Sequence, residues 1–109
     1  MEINIHTKWK ELVQSLSAQF DNDVDMQAII FMIGVQEVGK LKKKFSKDQK
    51  LDVMHVAICK LLSTYGYYEF VGRDEDGWPH WQLKEKLPAL TAFEQERLMK
   101  EAILEYFEE

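Results

Sequence analysis

The chain is short of the features that announce most functions. It has a single cysteine, Cys59, in 109 residues. That excludes a disulfide within the chain and fits a reducing compartment. Only two prolines and five glycines interrupt it. No apolar stretch reaches the roughly 18 residues that cross a bilayer. Met1-Glu2-Ile3-Asn4-Ile5-His6 lacks the basic flank and apolar run of a signal peptide. A membrane role is not expected, and the reading is a soluble cytoplasmic protein. Basic residues do not predominate either: 14 Lys and Arg face 19 Asp and Glu, a net charge of −5. Nucleic acid is therefore not expected as a partner, because duplex affinity comes mainly from cations on phosphates. There is no Walker loop, no Gly-x-Gly-x-x-Gly, no Ser elbow and no HExxH, which removes the strongly signalled enzyme classes. No cofactor is expected.

What is present is apolar and aromatic. Hydrophobic residues make up 46%, with three Trp, four Tyr and six Phe, enough for a folded domain rather than disorder. Ala28-Ile29-Ile30-Phe31-Met32-Ile33-Gly34-Val35 carries no charge in a chain that is 30% charged. With no polar face to offer water, that run belongs at the centre of the fold.

The periodicity predicts a mainly α, compact four-helix domain spanning 1–109, with a small β-hairpin inserted between helices 3 and 4. The helices are expected at about 7–20, 24–38, 47–65 and 92–107, and the hairpin at about 67–83. Trp9, Leu12, Val13, Leu16 and Phe20 share a face of the first helix, with Thr7 as its N-cap. Asp21-Asn22-Asp23 makes a turn and then a cap for the second. Gly34 costs that helix roughly 1 kcal/mol relative to Ala, which suggests a close helix–helix approach. Gly39 is a C-terminal stop. Ser46 with Gln49, and Thr91 with Glu94, are capping boxes for the third and fourth helices. Leu51, Met54, His55, Ile58, Leu62 and Tyr65 are expected to face inward on the third, with Val53, Val56 and Ala57 making its other side apolar. Phe93, Met99, Ala102, Ile103, Tyr106 and Phe107 are expected inside on the fourth. Residues 40–50 hold six lysines against one acid, and the last helix is acidic.

Chemistry-bearing side chains crowd between Tyr65 and Trp81. Rigid aromatics with a polar tip beside an arginine are the usual composition of binding hot spots. Tyr68, Arg73, Trp78, His80 and Trp81 are therefore the candidate binding residues. Asp74-Glu75-Asp76 lacks the spaced ligands of a calcium loop. Asp52, His55 and Cys59 fall within one arc of a helix, but zinc needs three or four such ligands and no others are near in sequence. No metal site is expected, and a Cys–His nucleophile has no orienting third residue. His55 reads as a core histidine. The leading function is a small non-enzymatic protein–protein interaction or self-associating domain, with a homodimer as one form. The alternative is a small-molecule binder or enzyme with a pocket between hairpin and third helix, using His80, His55 and Tyr65.

Overall fold

A computed structural model describes residues 4–39 and 45–108. The fold is mainly α. Four helices, α1 (Ile5–Phe20), α2 (Met26–Val38), α3 (Lys47–Ser63) and α4 (Ala92–Glu108), carry an antiparallel hairpin of β1 (Tyr68–Arg73) and β2 (Pro79–Leu83) between the third and fourth. Lys40–Lys44, most of the lysine run, lie outside the described residues. Among the described residues no helix is long and apolar enough to cross a membrane. The chain divides into two units, Met1–Ile29 with Ala89–Glu109, and Ile30–Pro88.

In the first unit, α1 begins earlier than the Thr7 cap would have it. Asn4 is the N-cap, its side-chain oxygen accepting from His6 N–H at 2.9 Å. Ile5 stands four residues before Trp9 and extends the same stripe by a turn. Asp21 closes α1 in a left-handed conformation, its N–H bonded to the Ser17 carbonyl. The cap of α2 is Asp25, not the 21–23 turn, because the Asp25 carboxylate accepts from Ala28 N–H at 2.8 Å. Thr91 and Glu94 exchange both bonds of the expected capping box at the start of α4. Helices α1 and α4 meet through Lys8 and Glu108 at 3.1 Å and through Lys100 over the Trp9 ring. Leu16, Ile29, Ala102, Ile103 and Leu104 are buried. Phe20, Phe93 and Phe107 are not, so the apolar faces of α1 and α4 fade at their ends.

In the second unit, Ser46 and Gln49 form the expected capping box of α3, and α2 ends at Gly39, whose φ is +74°. The core is Ile30, Ile33, Val38, Val53, Val56, Ala57, Cys59, Leu61 and Leu62. The expected inner face of α3 is corrected in part by this set: Leu62 is buried as expected, while Met54, Ile58 and Tyr65 are half-buried. Leu51 and His55 are exposed, and the side bearing Val53, Val56 and Ala57 is the buried one. Gly34 explains why. A Cβ built there would run into the Val53 carbonyl oxygen and lie 2.7 Å from Val53 Cγ1, so α2 sits directly on that side of α3. The opposite stripe is left to the narrower hairpin.

Strand pairing runs Tyr68 with Leu83, Glu69 with Gln82 and Phe70 with Trp81, then resumes at Gly72 with His80 and Arg73 with Pro79. Val71 is the extra residue of a β-bulge. The alternation of side chains puts Tyr68, Phe70, Trp81 and Leu83 on one face and Glu69, His80 and Gln82 on the other.

Candidate functional site

The hairpin tip is built on one carboxylate. Asp74 Oδ1 accepts from the Asp76 and Trp78 amides at 2.9 and 3.0 Å, while Gly77 N–H closes the turn onto the Asp74 carbonyl. Gly77 has φ +81°, a left-handed turn position that suits glycine. The second oxygen, Oδ2, accepts from His80 Nε2–H at 2.8 Å. His80, with the Trp78 and Asp76 amides after it, holds the Asp74 carboxyl below its ordinary value of 3.8.

A depressed carboxyl stabilises the folded tip fully above the unfolded value, and the contribution is lost as pH falls through the folded one. The Asp74 carboxyl is therefore expected to titrate below 3.8 by carbon-detected NMR, and to move up towards 3.8 in His80→Gln. An unchanged titration in that variant would show that the ring is not what holds it down.

Arg73 is spent inward. Its Nη1 donates to the carbonyls of Val38 at 3.2 Å and Gly77 at 2.8 Å, and its Nη2 to that of Glu37 at 2.7 Å. It caps the C-terminal end of α2 and ties it to the hairpin turn. Cations suit that negative helix end. The bonding residue is supplied by β1.

The remaining candidates spread along the hairpin. Tyr68 is half-buried and meets the His55 ring edge-to-face at 6.4 Å. Trp78 and Trp81 are half-buried too, neither wholly core nor wholly free. Phe70 packs on Trp81 with ring centroids 5.2 Å apart. Beyond the covered part of this face, Phe70 is 49% exposed and Leu83 53%, and Val71 at the bulge is 64% exposed. None of the three is among the five candidate binding residues; the bulge at Val71 has no sequence signature of its own.

Between α3 and β2 lies a notch of about 190 Å³, lined by Asp52, His55, Val56, Trp78, Pro79, His80 and Trp81. It brings together the expected His55 and His80 and adds Asp52. Tyr65 is not among its walls. His55 is exposed rather than a core histidine, with its Nε2 3.5 Å from Cys59 Sγ. Burial pushes that thiol up to about 11, the opposite of an activated thiolate. No group of three or more His, Cys, Asp or Glu among the described residues could hold a metal ion.

A larger concavity of about 720 Å³ lies in the first unit, beside Ile5, His6 and Phe93. Its charged walls are engaged with one another, Arg97 with Glu101 at 3.3 Å and Lys100 with Glu96 at 3.6 Å, and it gathers none of the hairpin chemistry. Compared with protein-family models, curated proteins and solved structures, the chain matches none.

Proposed function

We propose that this chain is a small non-enzymatic interaction domain of the cytoplasm that binds a protein partner, or a second copy of itself, through the hairpin. The observation that carries the reading is the uncovered apolar set Phe70, Val71 and Leu83 on two strands that otherwise rest on α3. Exposed apolar residues gathered on one small element are a feature of interaction surfaces. The half-buried Tyr68, Trp78 and Trp81 give that surface rigid aromatic support. The two-stranded sheet also has an outer edge on each strand that could accept a further strand. A buried, unpaired Cys59 supports the reducing compartment.

The test is light scattering after size exclusion, at low and high salt, on wild type and a Phe70→Ser/Leu83→Ser double variant. Both residues are exposed, so the variant keeps the fold, which circular dichroism checks. Self-association predicts two chains for wild type and one for the variant, with little dependence on salt. A monomeric wild type at about 100 µM, well above working Kd values of stable dimers, removes the homodimer. The surface then belongs to a foreign partner.

One observation favours a second reading, a small-molecule site. His55 and His80 converge on the α3–β2 notch, and His80 is oriented by Asp74 as an acid–base histidine would be.

A further inference from the structure

We propose that the notch between α3 and β2 is a receptor for a small organic cation, an alkylammonium or guanidinium head group. The proposal rests on the small-molecule reading of that notch and adds the chemical class. Its walls hold one carboxylate residue, Asp52, two histidines and two tryptophans, with neither Lys nor Arg among them. An anion entering there would meet Asp52 without a cationic partner. Through His80 the notch also adjoins the acidic tip Asp74-Glu75-Asp76. A cation meets the reverse: an exposed carboxylate and indole rings, whose faces attract positive charge.

Size narrows the choice. At about 190 Å³ the notch is smaller than the roughly 300–1,000 Å³ of drug-sized pockets, so it admits a head group and not a nucleotide. Such a head group comes from a free amine or from a Lys or Arg side chain on a bound protein. The chemistry is shared, and the choice of probe separates the sources.

The experiment is an NMR titration of the full chain, following the three indole N–H signals. Trp78 and Trp81 line the notch, and Trp9 in the other unit is the internal control. The probes are butylammonium, guanidinium and N-acetyl-lysine methylamide, with acetate and butanol as anionic and neutral counterparts. Saturable shifts of Trp78 and Trp81 with the cations, while Trp9 stays still, are the expected result. Asp52→Asn is expected to weaken butylammonium at least fivefold without changing the circular dichroism. Tighter binding of the lysine derivative than of butylammonium supports a protein side chain as the source, and the reverse order a free amine. Equal binding of butanol or acetate, or full affinity in Asp52→Asn, overturns the cation class and leaves the site standing. No saturable shift with any probe overturns the site as well.

Discussion

Gly34→Ala is expected to destabilise the protein by about 2 kcal/mol, although it replaces the poorest ordinary helix former with the best. The alanine gains about 1 kcal/mol of helix propensity. Against this, its Cβ would meet the Val53 carbonyl oxygen, with Val53 Cγ1 at 2.7 Å and the carbonyl carbon at 2.9 Å. Overpacking of this kind costs about 3 kcal/mol at the upper end of its usual range, because main chain cannot rotate away as a side chain can. At roughly 5 °C per kcal/mol for a domain near 100 residues, the melting temperature should fall by about 10 °C. A second variant sharpens the test. Val53→Ala removes Cγ1 but leaves the carbonyl, so the Gly34→Ala/Val53→Ala double variant should not recover wild-type stability. An alanine variant as stable as wild type would mean that α2 stands off from α3 at no cost.

That contact shows where sequence patterns carried and where they failed. The uncharged run around Gly34 has no wet face, so its burial was legible from composition alone. Ile29, Ile30 and Ile33 are accordingly buried. Ser46 with Gln49 and Thr91 with Glu94 were legible because a capping box is a local bond pattern with a fixed spacing. The inner face of α3 was not. Leu51, Met54 and Ile58 keep helical spacing as well as Val53, Val56 and Ala57 do, and periodicity cannot rank two apolar stripes; of the expected inner face Leu62 is the residue that is buried. The decision lies with the neighbours: a helix pressed close by Gly34 on one side, a two-stranded hairpin on the other. The same competition misplaced His55, which stands on the stripe that the hairpin only partly covers.

The candidate site was legible to a similar depth. The extended, aromatic-rich runs on either side of the Asp76-Gly77 tip located the hairpin. Side-chain alternation could not say which aromatics lie uncovered, because one inserted residue at Val71 shifts the register after Phe70. His55 and His80 come together in one notch because α3 carries the hairpin. Asp52 joins them one turn away from His55, and Tyr65, ten residues further on, does not. Arg73 was legible only as an arginine near rings. Its acceptors are main-chain carbonyls up to 36 residues distant, and a carbonyl leaves no mark in a sequence.

Arg73→Ala is the second large effect expected, a loss of about 2 kcal/mol. Charge-assisted hydrogen bonds contribute roughly 1.5–3 kcal/mol each. Arg73 makes three of them, but it is an exposed residue and water can replace part of what is lost at the Glu37, Val38 and Gly77 carbonyls. The discounted sum remains large because one planar group bonds two chain segments at once, the end of α2 and the hairpin turn. Arg73→Lys should recover less than half: an ammonium is a single point with no fork to span both segments. Urea denaturation gives the loss, and amide exchange shows its location. Protection is expected to fall at Gly39 and Gly77, whose N–H groups close the helix end and the turn, before it falls in α3. A change within about 0.5 kcal/mol, the range of an ordinary surface substitution, would show that Arg73 is not a brace. The same variant then decides its other role. If the hairpin keeps its exchange pattern while partner binding disappears, the guanidinium acts at the interface. If protection and binding fall together, Arg73 serves the surface by holding the hairpin in place.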